Sequence, residues 1–458
     1  MRPFEIALLL SCLPALVLAL FGVRSGRILE SVFLFAPVVI LGVHALTEGA
    51  RLHLTPLYLV AIVLGLAGLG KFFAPGPWLP WFLTSFCAFC GLILAAGGLL
   101  SGWIFPVFDL PPLTGPYRIG TTTVHFDGDL GARAVDVQFW YPVPGVVAGR
   151  RASYLPEGEQ APSRLFSNLL RVRTHAFADA EVAASEKGWP VVLYSSSWDG
   201  RRFENTVLCE ALASEGFVVA AIDHAQGTND PPLDFSSEES FQRFQLAASR
   251  ELDARTSDLL QVFSALPKLQ AGLLGGGRFK DKLDPITAGA IGYSFGGAVA
   301  AEACFREPRL RAGVNLDGTL FGQSARDGAA QPFLFITDTV PPPPESELRS
   351  ADPAVRRNAE FYAGSWRDMD RWLERHGGWL VQIEGVRHAN FCDRPLFSRL
   401  PRYTGAGTRD AVSTLQAIDA CVVAFFNKTL RGRSGELLSK DSTPWPGVAV
   451  RLFPPPSE

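Results

Sequence analysis

Charge is nearly absent from the first 108 residues of this 458-residue chain. Eight Asp, Glu, Lys or Arg residues lie in that stretch, whereas the other 350 positions carry 79. A helix of 17 or 18 residues is about 26 Å long, close to the thickness of the hydrocarbon core of a bilayer. We therefore predict an all-α transmembrane domain over residues 1–108, with one helix in each of four charge-free apolar runs: Ile6–Val23, Ser31–Thr47, Leu54–Gly70 and Phe72–Phe108.

The fourth run is longer than one span needs. Pro75, Pro77 and Pro80 crowd its start, so its helix is predicted to begin near Trp81 and to end before Pro106. The first run also fits a cleaved signal peptide, because it follows a basic residue and is strongly apolar. Three more apolar runs follow it, which favours a multi-pass membrane protein in contact with the lipid bilayer over a secreted soluble product.

The orientation of the four spans is not determined by their flanking charges. Four spans place both chain ends on one side of the membrane, and the short loops richer in Lys and Arg normally face the cytoplasm. Three such residues flank the side of the chain ends and three lie in the other two short loops: Arg2, Arg51 and Arg118 against Arg24, Arg27 and Lys71. The count is a tie, so it leaves the side open.

The rest of the composition excludes several classes of protein. A net charge of −3 and an isoelectric point near 6.2 show no basic stripe for phosphate backbones, so no nucleic-acid partner is expected. Cys87 and Cys90 form a CxxC motif inside a predicted membrane helix and are interpreted as packing residues. The other cysteines after residue 108 lack metal-ligand spacing, and no metal site is expected: Cys209, Cys304, Cys392 and Cys421.

After the Pro-rich junction Pro106–Pro116, short apolar runs alternate with helical patterns, which is typical of an α/β domain with a mostly parallel sheet. We predict a linker at residues 109–116, a catalytic domain at 117–435 and a Pro-rich tail at 436–458. Predicted strands are an antiparallel pair, Tyr117–Phe126 and Ala134–Tyr141, followed by Pro190–Tyr194, Phe217–Ile222, Ala288–Gly292, Ala312–Leu316, Pro332–Ile336 and Trp379–Ile383. Predicted helices are Glu204–Ser214, Glu238–Ala265, Phe295–Phe305, Ala354–Arg375 and Arg409–Leu430.

One predicted strand runs directly into a serine motif. The strand Ala288–Gly292 continues into Gly-Tyr-Ser-Phe-Gly, residues 292–296, and a helix of small residues follows. This is the GxSxG arrangement of α/β-hydrolases, in which a tight strand-to-helix turn exposes a strained serine. The backbone N–H groups at the helix N-terminus favour a developing oxyanion. Ser294 is therefore the candidate nucleophile of an α/β-hydrolase fold.

A nucleophilic serine needs a histidine base, and α/β-hydrolases place that histidine after the acid in the chain. His388 lies in a loop just past the last predicted strand and is the candidate base. His125 and His376 are interpreted as strand and helix-surface residues. His224 follows the strand that ends at Ile222 and is a candidate for buttressing the site by hydrogen bonds.

The acid must bond the second imidazole nitrogen and should close a strand between Ser294 and His388. Asp317 follows the strand Ala312–Leu316, and Asp338 follows the next strand, so both meet this requirement. Asp393, five residues after the histidine, is a further rival. Position alone therefore does not decide between the acids.

Six stretches between residues 116 and 430 carry a family resemblance: Val135–Pro142, Thr174–Asp179, Gly216–His224, Gly292–Gly297, Asn315–Gly318 and Gly385–Phe391. They resemble the platelet-activating factor acetylhydrolases, α/β-hydrolases of phospholipase A2 type. The resemblance implies an acid on the strand immediately after the nucleophile, in a Leu-Asp context, and so favours Asp317. It also implies hydrolysis of short or oxidised acyl esters at the second position of a phospholipid glycerol, without a cofactor.

The oxyanion loop departs from the family pattern. Family members commonly carry Ser-His-Gly after the strand equivalent to Pro190–Tyr194, whereas this chain has Ser-Ser-Ser-Trp-Asp-Gly at residues 195–200. Aligned on that strand, Trp198 takes the position whose backbone N–H completes an oxyanion hole with that of Phe295. Backbone donors do not depend on the side chain, so the hole can survive the change.

Together these observations predict a membrane-anchored serine esterase that acts on phospholipids. Two alternatives from other classes remain: an esterase or polyester hydrolase for non-lipid esters, and a membrane protein whose hydrolase-like domain only binds lipid. The helix Ala354–Arg375 fits either a cap over the pocket or an ordinary packed helix. Because family members are often exported, we expect an extracytoplasmic catalytic domain.

Overall fold

The structure, a computed structural model, describes residues 2–23, 27–73, 79–128, 133–145, 147, 149–224, 233–433, 435–438 and 442–455. The chain divides into two compact units. Unit 1 comprises residues 1–109 together with 153–173 and 396–404, which we call the first and second inserted segments. Unit 2 comprises residues 110–152, 174–395 and 405–458.

Unit 1 consists mainly of four long apolar helices: α1 (Pro3–Leu20), α2 (Arg27–Thr47), α3 (Thr55–Phe73) and α4 (Trp81–Ile104). Each is long and apolar enough to cross a membrane, and each lies on one of the predicted runs. Small residues let neighbouring helices approach closely, since Gly68 of α3 lies against Leu34 and Phe35 of α2. Many large apolar side chains on these helices stay exposed, among them Leu10 and Val63. Water penalises such exposure, whereas lipid does not.

A buried ionic cluster lies at the end of the bundle where α1 begins. Glu5 is fully buried, and its carboxylate accepts hydrogen bonds from Arg2 Nε at 2.9 Å and from Arg51 Nη1 at 2.8 Å. Arg51 Nη2 also donates to the carbonyl of Gly102 in the last turn of α4. Two guanidinium groups compensate the charge of Glu5, which explains how α1 extends past the predicted start at Ile6.

Both inserted segments pack at the same end of the helical bundle. Asn168, fully buried in the first segment, donates from Nδ2 to the carbonyls of Pro106, at 2.7 Å, and Phe397, at 3.1 Å. In the second segment, the backbone N–H of Arg399 donates to the Ile104 carbonyl at 2.8 Å and so satisfies a terminal carbonyl of α4. The sequence analysis placed both segments in the catalytic domain, because no apolar run marks them as partners of the helices.

A sheet of 12 strands forms the centre of unit 2. The strands are β1 (Arg118–Phe126), β2 (Val135–Val143), β3 (Arg151–Ser153), β4 (Arg173–Ala178), β5 (Trp189–Ser195), β6 (Val218–Asp223), β7 (Leu283–Tyr293), β8 (Gly313–Leu316), β9 (Phe333–Asp338), β10 (Gly378–Ile383), β11 (Ser442–Trp445) and β12 (Val448–Phe453). Their order across the sheet is β11-β12-β10-β9-β8-β7-β5-β6-β2-β1-β4-β3. From β6 to β10 all neighbours are parallel, while β2 runs antiparallel to both β6 and β1.

Helices cover both faces of this sheet. The remaining α-helices are α5 (Thr206–Ser214), α6 (Glu238–Gln270), α7 (Phe295–Arg306), α8 (Ser324–Asp327), α9 (Glu345–Leu348), α10 (Pro353–His376), α11 (Pro401–Thr404, in the second inserted segment) and α12 (Ala411–Arg431). On one face α6, α7 and α10 bury Val262, Ala300 and Trp372, and on the other α5 and α12 bury Leu212 and Phe425. A mostly parallel sheet between two helical layers confirms the predicted α/β-hydrolase fold.

The predicted Pro-rich tail, residues 436–458, contains two strands that the sequence analysis did not identify. β12 pairs antiparallel with β10 from Gly378 opposite Phe453 to Ile383 opposite Val448. Val448 and Val450 are buried by this pairing. The flanking prolines indicated a tail because proline cannot donate to a ladder, but the short alternating run between them completes the sheet edge.

The predicted linker at residues 109–116 is also held by hydrogen bonds within unit 2. The backbone N–H of Gly115 donates to Ser214 Oγ at 3.1 Å, and the N–H of Tyr117 donates to the Ser214 carbonyl at 3.1 Å. Thr114 Oγ1 donates to the Glu215 carboxylate at 3.0 Å. The chain is therefore fixed against the C-terminus of α5 before β1 begins.

Candidate active site

Ser294 occupies the sharp turn between β7 and α7. Its φ of 56° and ψ of −123° are strained for a residue with a side chain, as expected at a nucleophile elbow. A Cβ at Gly292 would collide with the Gly296 carbonyl, and one at Gly296 would collide with the Ser195 carbonyl. Only glycine fits at these two positions, so the GxSxG spacing is a steric requirement of the turn.

The structure brings Ser294, His388 and Asp317 into one hydrogen-bonded chain. His388 Nε2 lies 2.8 Å from Ser294 Oγ, and His388 Nδ1 lies 2.6 Å from Asp317 Oδ2. The His388 side chain is 54% exposed, whereas that of Asp317 is 15% exposed. The imidazole is thus accessible to solvent, whereas the carboxylate that bonds its Nδ1 is mostly buried beneath it.

The ends of β8 and β9 decide which aspartate meets the histidine. Asp317 adopts a positive φ of 54°, and its N–H donates to the Ile336 carbonyl at 2.8 Å. The rival Asp338 turns its carboxylate to the N–H of Val340, at 3.0 Å, while its own N–H donates to Asp317 Oδ1 at 3.4 Å. Burial raises the pKa of Asp338, and the charge of Asp317 adds to this shift. Asp338 therefore supports Asp317 rather than replacing it.

Asp393, the third candidate acid, points elsewhere. It is fully buried, and its two carboxylate oxygens lie 3.3 and 3.4 Å from the N–H of Val207 at the start of α5. A negative charge at a helix N-terminus is a common structural arrangement. No hydrogen bond from Asp393 to His388 is among the contacts of the described residues.

The loop that carries His388 is fixed by polar contacts on its flanks. Tyr293, the residue before the serine, donates its hydroxyl to the His388 carbonyl at 3.0 Å, and the two rings lie 5.1 Å apart. Asn390 accepts hydrogen bonds on Oδ1 from the backbone N–H groups of Arg387, at 2.9 Å, and Gly407, at 2.7 Å. The position of the imidazole is thus tied to the serine turn itself.

Trp198 and Phe295, the predicted oxyanion residues, lie side by side. Their rings make an edge-to-face contact with centroids 4.7 Å apart. Within the described part of the chain, neither backbone N–H has a protein acceptor, whereas the N–H of Ser197 donates to Glu204 Oε1 at 2.6 Å. Unengaged backbone N–H groups are the donors that an oxyanion hole uses, and the assignment of these two to the hole stays a prediction.

His224, the predicted buttress, joins a second Ser-His-Asp chain. His224 Nε2 lies 2.9 Å from Ser195 Oγ, and its Nδ1 lies 2.9 Å from Asp258 Oδ2. All three residues are buried, and Arg133 Nη2 donates to the same aspartate at 2.7 Å. The chain fixes the start of the oxyanion loop, residues 195–200, to helix α6.

The sequence analysis missed two residues that hydrogen-bond to the oxyanion loop, Glu204 and Arg255. Glu204 accepts hydrogen bonds from Ser197 and from the Tyr194 hydroxyl, and burial raises its pKa. Arg255 of α6 donates to two carbonyls of the loop. Neither stands in a motif, since one is a Glu just before a helix and the other an Arg in a long amphipathic helix, so nothing in the sequence singled them out.

Helix α10, the predicted cap or surface helix, contributes to an aromatic cluster near the nucleophile turn. Phe361 lies within 6.1 Å of Phe321, ring centre to ring centre, and Phe321 within 5.5 Å of Phe295. Tyr362 has its pKa raised by burial and by the charge of Asp317. The first half of α10 therefore borders the Ser294 site.

The remaining residues singled out in the sequence lie outside this group. His125 is an exposed residue of β1 that bonds Asp136, and His376 ends α10 and bonds the Asp327 carbonyl. The seven cysteines are free thiols, and among the described residues no cluster of His, Cys, Asp and Glu is arranged to hold a metal. Gly275–Gly277 form one short 3-10 turn.

Similarity to known proteins places this geometry in a family. Curated relatives include the probable 1-alkyl-2-acetylglycerophosphocholine esterase of Arthroderma benhamiae, 24% identical over 57% of this chain and 66% of that protein. The platelet-activating factor acetylhydrolase of Cavia porcellus is 25% identical over 48% of this chain and 52% of its own length, and that of Gallus gallus is 22% identical over 55% and 70%. The chain thus covers between 52% and 70% of the length of these three relatives.

A solved structure shares the fold. The ferulic acid esterase from Streptomyces cinnamoneus superposes with a TM-score of 0.54 and 23% identity, over 76% of this chain and all of that one. The family description of platelet-activating factor acetylhydrolase, isoform II matches residues 104–229 and 274–434, which include Trp198, Ser294, Asp317 and His388. Because this match covers more than half of the sequence, the chain belongs to the platelet-activating factor acetylhydrolase, isoform II family.

Proposed function

We propose that this protein is a serine ester hydrolase in which Ser294 is the nucleophile, His388 the general base and Asp317 the acid. The observation that carries the proposal is the continuous hydrogen-bonded chain from Ser294 Oγ through His388 to Asp317, at 2.8 and 2.6 Å, on a strained strand-to-helix turn. These are the geometry and the roles by which such a triad is recognised on any fold.

The triad supports acyl transfer in two steps. His388 Nε2 accepts the Ser294 hydroxyl proton as Oγ attacks the ester carbonyl, and Asp317 holds Nδ1–H and stabilises the imidazolium. The tetrahedral oxyanion accepts hydrogen bonds from the N–H groups of Phe295 and Trp198. The imidazolium then protonates the leaving alcohol, and a water activated by the same imidazole releases the acyl group from Ser294.

The substrate we propose is a phospholipid with a short or oxidised acyl group at its second glycerol position. The relatives named for 1-alkyl-2-acetylglycerophosphocholine and for platelet-activating factor support this choice. The exposed His388, and an aromatic cluster of Phe295, Phe321 and Phe361 that begins at the residue after Ser294, support it as well, because an amphipathic ester needs a polar entrance and an apolar wall.

The four apolar helices of unit 1 are proposed to span a bilayer, so that the protein is a multi-pass membrane protein. Apolar side chains exposed along the helices, together with the charged Arg2, Glu5 and Arg51 gathered at one end, support a membrane position for the bundle. An extracytoplasmic catalytic domain remains our proposal for its side. A membrane-impermeant fluorophosphonate should then label Ser294 on intact cells, and labelling only after lysis would contradict it.

Active-site labelling tests the nucleophile directly. The purified protein should react stoichiometrically with a fluorophosphonate, and mass spectrometry should find the adduct on Ser294. Ser195→Ala is a matched control, because Ser195 also contacts a histidine but is fully buried, and it should label as the unaltered protein does. No adduct, or an adduct on another serine, would refute the assignment.

Competing substrates test the phospholipid class. Release of acetate from 1-alkyl-2-acetylglycerophosphocholine is compared with turnover of p-nitrophenyl acetate, both in detergent micelles of one composition. A kcat/KM at least about tenfold higher for the phospholipid supports the proposal, since tenfold corresponds to about 1.4 kcal/mol of transition-state binding. A preference for the soluble ester would favour a general carboxylesterase.

A further inference from the structure

We infer that Arg255 is the positioning residue of the oxyanion hole, and that it acts by holding the peptide unit that carries the Trp198 N–H. The inference rests on the proposed function, because it concerns where the hole is aimed. Arg255 lies on α6 and touches no member of the Ser294, His388 and Asp317 chain through a hydrogen bond among the described residues.

Arg255 binds two consecutive carbonyls of the oxyanion loop. Its Nη1 donates to the Ser197 carbonyl at 2.9 Å and its Nη2 to the Trp198 carbonyl at 2.7 Å. Its Nε donates to Glu251, one turn earlier on the same helix, at 3.3 Å. The residue is 3% exposed, so these bonds form away from competing water.

Because the peptide bond is planar, the contact between Arg255 and the Ser197 carbonyl also orients the Trp198 N–H. The Ser197 carbonyl and the Trp198 N–H belong to one trans peptide unit, in which the two groups point in opposite directions. Fixing the oxygen on Arg255 therefore fixes the direction of the N–H on the other side. A rotation of that peptide would break this 2.9 Å hydrogen bond, together with the one that the same carbonyl accepts from the Gly200 N–H at 3.0 Å.

The two peptide units of the loop are held from different sides. The preceding unit is fixed through the Ser197 N–H, which donates to Glu204 Oε1 at 2.6 Å. Arg255 then fixes the next unit, the one whose N–H stays unengaged in the described structure. Of these two peptide units, the first thus has its N–H bonded to Glu204, whereas the second keeps the Trp198 N–H unengaged among the described residues.

Helix α6 holds the loop at a second point. Asp258, three residues after Arg255 and therefore on the same helix face, binds His224, which in turn binds Ser195 at the loop's start. The Arg255 guanidinium also lies over the rings of both Trp198 and Phe295, at 5.8 and 5.4 Å. The residues that carry the two donors are therefore packed on the same cation.

The part of α6 that carries this support lies in a stretch of the chain that the family match leaves out. The family match covers residues 104–229 and 274–434, so Arg255 and Asp258 lie outside it. The loop they hold is the one that lacks the His-Gly pair common in the family. The hydrogen bonds from Arg255 of α6 therefore fix the direction of the Trp198 N–H in a loop that departs from the family pattern.

The test compares Arg255→Lys and Arg255→Met with Arg306→Met in the full-length protein. Arg306 is a matched control, because it also pairs with acidic groups, Glu302 and Asp253, but lies on the far end of α7. We measure kcat and KM for p-nitrophenyl acetate, the inhibition constant of a trifluoromethyl ketone that forms a tetrahedral adduct on Ser294, and the Tm. End-point fluorophosphonate labelling counts the folded active sites.

Loss of an aimed oxyanion donor should lower kcat per labelled site by about 100- to 1,000-fold in Arg255→Met, with KM changed less than about threefold. The trifluoromethyl ketone should bind more weakly by a similar factor, whereas Arg306→Met should match the unaltered protein. Arg255→Lys keeps the charge beside Glu251 but cannot hold both carbonyls in one plane, so it should fall between the two.

Two outcomes would overturn the inference. A lowered Tm with unchanged kcat per labelled site would show a purely structural role, and an equal fall of kcat in Arg306→Met would show a general effect of lost ion pairs. If Arg255→Met does not fold, Arg255→Lys decides by the same readouts. Turnover that survives in Ser294→Ala would instead refute the proposed function and is measured in parallel.

Discussion

Two Ser-His-Asp chains lie in the same catalytic unit and differ in access rather than in composition. In the first, Ser294, His388 and Asp317 are linked by contacts of 2.8 and 2.6 Å. In the second, Ser195, His224 and Asp258 are linked by two contacts of 2.9 Å. The His388 side chain is 54% exposed, whereas that of His224 is 1% exposed.

The residue types alone do not decide whether such a chain is exposed and strained or buried and relaxed. Ser294 stands in a strained conformation at a helix N-terminus, with unengaged N–H groups beside it. Ser195 is the last residue of β5, has no exposed surface, and its hydroxyl hydrogen-bonds to a histidine that is only 3% exposed overall. The same three side chain types thus have the exposure that our proposed catalytic triad needs in one place, and in the other they form a buried contact between β5 and α6.

Removing the two serine hydroxyls should give the largest contrast. Ser294→Ala should lower kcat by about 10⁶-fold, because no other group can form the acyl-enzyme. Ser195→Ala should stay within about tenfold of the unaltered protein, since it loses only a tie of the loop. Steady-state turnover of p-nitrophenyl acetate measures both, and comparable losses would erase the distinction between the two chains.

The acid of the exposed chain should matter nearly as much. Asp317→Asn should lower kcat by about 10⁴-fold, because the amide favours the wrong imidazole tautomer. Asp338→Asn retains an oxygen for the Val340 N–H and should change kcat less than about tenfold. A larger loss in Asp338→Asn than in Asp317→Asn would reverse the assignment of the acid.

Burial of His224 should make the stability of the protein depend on pH. Burial lowers the pKa of His224, and the charges of Arg255 and Arg133 lower it further, against the opposing effect of Asp258. His224 is therefore neutral in the fold, and its contribution to stability is present above its ordinary pKa and lost as the pH falls below it.

His224→Gln cannot take up that proton. The variant should unfold at lower temperature than the unaltered protein at pH 8, because it loses hydrogen bonds worth about 1–3 kcal/mol. The difference in Tm should shrink by pH 5, where the unaltered protein loses its His224 contribution. Thermal unfolding in one detergent at both pH values measures this, and a gap that widens on acidification would contradict a neutral His224.

The smallest expected effect concerns the tie between the serine turn and the histidine loop. Tyr293→Phe removes the hydroxyl that donates to the His388 carbonyl at 3.0 Å. The loss of one partly buried hydrogen bond should cost about 0.5–1.5 kcal/mol of stability and lower kcat a few-fold. Chemical unfolding and turnover are compared side by side, and an unchanged kcat would show that the loop needs no such tie.

The sequence was most informative where the structure depends on local pattern. Gly292 and Gly296 are dictated by collisions within one turn, so the motif itself predicted the position of Ser294. His388 followed from chain order, because this fold places it after the last central strand. Their catalytic roles, and that of Asp317, remain predictions that the experiments above address.

Non-local pairings could not be predicted in the same way. β12 has only a short run of alternating apolar residues, and Val448 and Val450 become a strand because β10 offers a free edge more than 60 residues away in sequence. The choice of Asp317 over Asp338 needed the family resemblance, since both follow strands. Arg255 could not be found at all, because its function depends on which carbonyls the fold brings within its reach.

The inserted segments bear on how closely the proposed catalytic domain depends on the four apolar helices. Asn168 and Arg399 satisfy carbonyls at and just beyond the end of α4, and the buried ring of Phe166 packs on Phe105. Deleting the first 109 residues would remove the Pro106 carbonyl that Asn168 binds and the Ile104 carbonyl that the Arg399 backbone N–H binds, and it would expose apolar rings to water. If the helices span a membrane as proposed, a soluble descendant would therefore need new side chains in both inserted segments besides losing its helices, so the loss of the membrane domain would take many coordinated substitutions.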